Sequence, residues 1–320
     1  MTRTGPLSSG PPVTNHTSPL PDGFTARENY PFLRRFSQII GVPEENLLKA
    51  FEIEQHYHEL ILQETAPEKR KQFYREMYNQ VHPLYDKISA TASGRNPFYR
   101  MVKLFQRELN GRSILDVGCG TGAFLTCVDD MIPHGRLVGI DTSLSVLPKD
   151  TRSIRFIQSD VIDFEVNTSF DVVFSHHVLE HIAPADVASH IWSIKKALAP
   201  GGCFIISTPN RFFGPSDVTR ILDYTNCNRT PAMGSHVNEL NYTETIALLQ
   251  KYGFSDFKTI LPLRFLKYCF PNLRLNPSFL IHMENHPALL NLLHLIRFRS
   301  RCLLAFDVVL VCRQRSAREG

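Results

Sequence analysis

A doubly wound α/β fold, built on a mostly parallel seven-stranded sheet, is what this sequence predicts, and three features carry the expectation. The run Ile114-Leu115-Asp116-Val117 breaks into Gly118, Gly120 and Gly122, then passes straight into the helical pattern of Ala123, Phe124 and Leu125. A second short strand, Leu137-Val138-Gly139-Ile140, ends on Asp141. Beyond it, β-rich runs alternate with helical patterns at the pitch of βαβ units.

Each element has its reason. Residues without Cβ after the first strand let the backbone turn sharply against a ligand, and the amides opening the next helix point into the same space. Asp141, at the end of the second strand, can accept hydrogen bonds from both hydroxyls of a ribose. The glycine spacing reads G-x-G-x-G, whereas the dinucleotide fingerprint reads G-x-G-x-x-G. Asp116 in the strand would repel a pyrophosphate but suits a cationic amino-acid group. On Leu115 through Gly122 the chain resembles the class I S-adenosylmethionine-dependent methyltransferases. The resemblance implies a Rossmann-like core with S-adenosyl-L-methionine as cofactor. Its binding residues would be Asp116, Gly118, Cys119, Gly120, Gly122, Asp141, Thr142, Asp160, Val161, Ser175 and His176.

The downstream order fits. Phe156-Ile157-Gln158-Ser159-Asp160 reads as a third strand, with Asp160 and Val161 placed to flank an adenine. Phe170 to Ser175 is a fourth, nearly all apolar, as suits a strand covered on both faces. Leu198 to Gly202 is expected to end a helix at its glycines and lead into the strand Cys203 to Ser207. Phe254 to Ile260 and Phe306 to Val311 supply the last two β-rich runs, with a helix from Thr243 to Tyr252 before the first of them. Thr243 is its expected N-cap and Gly253 its C′ residue.

Three regions fall outside this core of 98–260 and 302–315. Residues 1–28 are rich in Pro, Ser, Thr and Gly and are predicted to be a disordered tail. Residues 29–97 are predicted to be helical. There Leu47, Leu48, Phe51, Tyr57, Leu60 and Ile61 recur at helical spacing, and Phe73, Met77 and Tyr78 continue after Pro67. That segment would either cap the acceptor pocket as a lid or pack against the sheet edge. Residues 261–301 form a basic, apolar insertion with six cations, Arg264, Lys267, Arg274, Arg297, Arg299 and Arg301, against Glu284 alone. The insertion carries +5 while the whole chain carries +4, so the basic excess lives here. It suits either peripheral contact with an anionic membrane surface or a helical subdomain with a solvated basic rim.

Composition is that of a globular protein, with 43% hydrophobic and 21% charged residues. Seven scattered cysteines lack metal-ligand or disulfide-framework spacing, and nothing near the N terminus has the apolar core of a signal peptide. A cytoplasmic setting is expected, with peripheral membrane contact as the variant. The modest pI of 8.6 and the lack of a recognised module argue against nucleic acid as a partner.

The chemistry is placed after the fourth strand. His177, Glu180 and His181 stand at i, i+3 and i+4, so a helical turn would gather them on one face. His181, then His177 and His236, are the candidates for taking a proton from an acceptor hydroxyl. Alternatively His177, Glu180 and His181 bind a divalent metal; the segment resembles the matching loop of ubiquinone-pathway O-methyltransferases, where acidic residues and a histidine are associated with metal. A purely structural role for the Leu-Glu-His run is the third possibility. Asn210, Arg211 and Glu239 are candidate acceptor contacts, since planar polar side chains suit sugar hydroxyls. The Pro-Asn-Arg, Gly-Pro-Ser-Asp and His-x-x-Glu order resembles bacterial surface-polysaccharide and secondary-metabolite methyltransferases. The expected activity is therefore O-methylation of a glycan, lipid-linked sugar or natural-product hydroxyl. N-methylation of a small amine or protein, or a cofactor-binding module without turnover, are the alternatives.

Overall fold

A computed structural model describes residues 29–85, 96–142, 149–151, 153–224, 230–263, 266–292 and 307–314. The predicted tail, and Arg264, Arg297, Arg299 and Arg301 of the insertion, lie outside the described residues.

Seven strands form one sheet in the order β3-β2-β1-β4-β5-β7-β6. They are β1 (Ile114–Val117), β2 (Leu137–Asp141), β3 (Ile154–Gln158), β4 (Phe170–His176), β5 (Leu198–Thr208), β6 (Phe254–Lys258) and β7 (Val308–Gln314). The first five run parallel, and β7 lies antiparallel to both β5 and β6. The order reverses between β1 and β4, which makes the C-terminal ends of those strands the topological switch point where ligands bind in open α/β sheets.

Both faces of the sheet are covered, which is why its central strands are apolar almost throughout. One face packs Leu115, Val117, Val173 and Ile206 under Ile191 and Ile194 of α7 (Val187–Ala197) and Leu249 of α8 (Tyr242–Lys251). The other packs Ile114, Phe174 and Ile205 under Phe124, Leu125 and Val128 of α6 (Ala123–Met131), with α4 (Tyr99–Leu104) and the short α5 (Gln106–Leu109) alongside.

The segment before the sheet is helical as expected: α1 (Leu33–Ile40), α2 (Glu44–Gln63) and α3 (Pro67–Tyr85). Its apolar face, including Leu47, Phe51, Met77 and Val81, closes on Val218 and Ile221 from the connection after β5. Polar contacts carry α3 over the switch point as well. Arg70 donates through Nε to Asp186 Oδ2 at 2.8 Å, with a second bond from Nη2 to Oδ1. Lys71 Nζ lies 3.3 Å from Asp160 Oδ2, and the Tyr74 hydroxyl accepts the Ala183 amide at 2.9 Å. These contacts bring the helices to the loops at the strand ends.

Two local expectations are corrected. Helix α7 stops at Ala197, and β5 begins at once on Leu198, ahead of the glycines. Pro200 forces Ala199 out of helical backbone, so the stop precedes Gly201. Helix α8 is capped by Asn241 and not by Thr243: Asn241 Oδ1 accepts the Glu244 amide and Glu244 answers the Asn241 amide, a complete capping box. The basic insertion is in part a structural element. Arg274 is buried against Glu108 at 2.6 Å and donates to the Leu104 carbonyl, so its charge holds α4 and α5. Glu284 of α9 (Ser278–Glu284) accepts the Tyr242 amide and the Asn210 side chain, tying the insertion to α8. Among the described residues no helix is long and apolar enough to cross a membrane.

Candidate active site

The turn after β1 is built for close approach. Gly118 has φ +75°, and a Cβ there would run into Val178 Cγ2, so both backbone and space demand glycine. Gly139 of β2 is constrained by space alone, since a Cβ would lie 2.7 Å from Cys119 Sγ. Cys119 therefore serves as the small packing group beneath the turn. The Gly120 amide donates to Asp141 Oδ2 at 2.9 Å, which joins the glycine turn to the end of β2.

Asp116 is 3% exposed in β1, and burial together with the neighbouring Asp141 pushes its carboxyl up to about 8. A buried carboxyl raised in this way favours a cationic group placed beside it, which would restore its ionised form. Beside the turn, where Ser175 pairs with Val117 across the sheet, Ser175 Oγ and His176 Nδ1 are buried without hydrogen-bond partners. Buried polar atoms of that kind await a ligand or a water.

Asp160 lies past the end of β3, its Oδ1 accepting the Ile162 amide and its Oδ2 facing Lys71 of α3. The Val161 carbonyl accepts from His190 Nδ1 at 2.6 Å, and the Thr142 carbonyl from Gln158 at 3.3 Å.

The glycine turn, Asp141, Ser175 and His176 thus gather at the switch point of the sheet. Residues 94–258, half of the chain, match the family model described as a methyltransferase domain. The chain belongs to the class I S-adenosylmethionine-dependent methyltransferase superfamily. A protein of Mycolicibacterium smegmatis named as a probable S-adenosylmethionine-dependent methyltransferase is 31% identical over 51% of this chain and 61% of its own length. A ubiquinone biosynthesis O-methyltransferase of Rickettsia akari is 30% identical over 33% of this chain and 44% of its own. Among solved structures, an S-adenosylmethionine-dependent methyltransferase of Mesorhizobium loti is similar over 68% of this chain and 98% of that one, with 19% identity and a TM-score of 0.42. The chain thus spans roughly two fifths to three fifths of the curated relatives it matches.

A second polar cluster of the methyltransferase domain is assembled by the loop after β4. His177, Glu180 and His181 do not share a helical face. His177 takes φ +56° ahead of a short 3₁₀ turn, Leu179–His181, and is exposed, whereas Glu180 is fully buried. Ser207 of β5 sets this geometry by accepting the His177 amide, and Thr208 holds Glu180 Oε2 at 3.0 Å. His236 takes the place expected of His177. Its ring meets that of His181 edge-on, 4.6 Å between centroids, and Glu180, His181 and His236 carry potential ligand atoms within 4.8 Å of one another.

The backing of this cluster comes from residues the sequence reading passed over. Glu54 of α2, 2% exposed, accepts the Ser235 amide at 2.7 Å and the Tyr85 hydroxyl at 3.1 Å. Asp217 Oδ2 accepts the Gly234 and His236 amides. Burial, with Asp217 adding, pushes the Glu54 carboxyl up to about 7. Tyr78 of α3 lies edge-on to His181. Burial, reinforced by the neighbouring His236, lowers His181 to about 3, so its imidazole is neutral. Burial acts against charge on His236 too, but its bond to Glu239 and the nearby Asp217 and Glu180 outweigh it and hold the ring at about 9.

Of the expected acceptor contacts, Arg211 is half-exposed, pairs with Glu244 at 2.8 Å, and lines a cavity of about 440 Å³ with Phe212, His236 and Asn238. Asn210 is buried away from the cavity, whereas Glu239 lines it. Asn210 caps the Arg211–Phe213 turn and donates to Glu284, and Glu239 accepts from Ser216 and from His236 Nδ1 at 2.6 Å.

Proposed function

We propose that this chain methylates a hydroxyl oxygen of a small molecule, glycan or lipid-linked sugar, using S-adenosyl-L-methionine. The observation that carries the reading is one short loop: Val178 packs on Gly118 of the cofactor turn, and three residues later His181 meets His236 at the edge of the cavity. When bound, the cofactor supplies an activated methyl on a sulfonium. Asp141 would bind the ribose hydroxyls and Asp116 would face the amino-acid cation. Lys71 and Tyr78 bring α3 over both halves of the site, which supports a lid role for the N-terminal helices.

On the acceptor side, the proton leaving the hydroxyl is taken up at His181, the neutral ring of the pair. His181 Nδ1 faces the Ser235 carbonyl at 3.1 Å, which fixes the ring and leaves Nε2 as its acceptor. The O–H bond breaks as the O–CH₃ bond forms and the S–CH₃ bond breaks, so positioning and proton removal are the protein's tasks.

Incubation with methyl-labelled S-adenosylmethionine and a fractionated cell extract tests the reading. Label is expected in a glycan, lipid or small-molecule fraction as an alkali-stable ether. Label in protein or in an amine would overturn the oxygen acceptor. Asp141→Ala is expected to weaken S-adenosylhomocysteine binding by about 1–3 kcal/mol, the cost of leaving ribose hydroxyls unpaired. Unchanged affinity by calorimetry would remove Asp141 from the ribose.

A further inference from the structure

We propose that Glu180, His181 and His236 form a three-ligand site for one divalent transition-metal ion. The argument starts from which atom of each side chain is already engaged. His181 Nδ1 faces the Ser235 carbonyl at 3.1 Å, and His236 Nδ1 faces Glu239 Oε1 at 2.6 Å. Neither ring makes a hydrogen bond through Nε2 among the described residues. Glu180 Oε2 accepts from Thr208, while Oε1 is buried without a hydrogen-bond partner and lies 3.7 Å from His177 Nδ1. Three side chains are each tied at one atom and open at the other, and their ligand atoms cluster within 4.8 Å.

That division of labour is the one metal sites use. A ligating histidine gives its second nitrogen to a carbonyl or carboxylate, which fixes ring orientation and tautomer. Here Ser235 and Glu239 fill that outer role, and Thr208 does so for the carboxylate. The outer residues are held in turn: Ser235 by Glu54, and Glu239 by the Ser216 amide. Two imidazoles and one carboxylate suit Zn²⁺, Fe²⁺ or Co²⁺, whereas Mg²⁺ and Ca²⁺ favour oxygen alone. Bonds of about 2.0–2.2 Å require the three side chains to draw together on the ion. Three protein ligands leave a position open, and His236 lines the cavity proposed for the acceptor. With an ion bound, His181 Nε2 would be a ligand and not the proton acceptor, and the ion would hold the acceptor oxygen and ease loss of its proton to water.

The site differs from the one the spacing of the β4 loop suggests, because His177 is replaced by a residue from beyond β5. It stands on the donor arrangement alone and does not depend on methyl transfer.

Full-length protein, stripped with a chelator, is titrated with Zn²⁺ by calorimetry and with Co²⁺ by visible absorption. We expect one equivalent of Zn²⁺ and Co²⁺ ligand-field bands of nitrogen–oxygen coordination. Glu180→Gln and His236→Ala should each lower Zn²⁺ affinity by at least about 100-fold, and Glu239→Gln, one bond further out, by about 10–100-fold. His177→Ala should leave it within about threefold. Lack of stoichiometric binding to the wild type would overturn the proposal without recourse to any variant. So would affinity that survives in folded Glu180→Gln and His236→Ala, or that falls instead in His282→Ala or His286→Ala, an alternative histidine pair on and just beyond α9. Zn²⁺ bound with these signatures by a protein that transfers no methyl group would sustain the metal site and sink only the enzymatic reading.

Discussion

His181→Ala is expected to bind S-adenosylhomocysteine as the wild type does and to turn over about 10²–10⁴-fold more slowly. The separation follows from where the ring lies. Among the described residues the Gly118 turn and Asp116 make no hydrogen bond to His181, whereas His236, the Ser235 carbonyl and Tyr78 all meet it. Removing the imidazole takes the cluster's best-placed acceptor from beside the hydroxyl and leaves the cofactor side built. Single-turnover rates with labelled cofactor, set beside calorimetry of the product, check this. A loss below tenfold with intact binding would move the chemistry to His177 or His236. Weakened product binding would instead make His181 part of the cofactor side.

Arg70→Ala is expected to destabilise the protein by about 3–5 kcal/mol, since it strips the partner from a buried carboxylate. Arg70 and Asp186 are both at most 5% exposed, and the guanidinium meets the carboxylate with two parallel bonds. A third bond, from Nη1 to the Glu64 carbonyl at 2.6 Å, holds the connection between α2 and α3. The loss should appear in the denaturant midpoint. The double replacement Arg70→Met with Asp186→Leu should cost less than Arg70→Ala alone, because no charge is then left buried. Equal costs would mean that the pair contributes little beyond packing.

The core was legible because its signals are local. The glycine turn, Asp141 and the apolar strand runs each declare themselves within ten residues, and the sheet places them as expected. Asn241 was hidden by a local competitor, Thr243, whose hydroxyl is buried with no partner while the asparagine two residues earlier completes the capping box. The acceptor side was less legible, for another reason. Its members come from α2, the β4 loop and the segment beyond β5, with sequence separations such as that of Glu54 from Ser235. No period in the chain announces that His236 meets His181 edge-on, or that Glu239 orients His236. His177 was misplaced because its fate rests on one backbone angle set by a bond to Ser207.

Helix α3 can be read as a ruler. Lys71, Tyr74 and Tyr78 follow one another at i, i+3 and i+7, so they share a face and span about 10 Å. The first touches the loop proposed for the adenine, the second the loop after the 3₁₀ turn, and the third the histidine pair. Substitutions on the outward face leave those three marks where they are. A single residue inserted between Lys71 and Tyr78 turns everything beyond it by about 100° and carries the tyrosines off their loops. The outward face of this stretch is therefore free to drift in composition, but the stretch is not free to change in length.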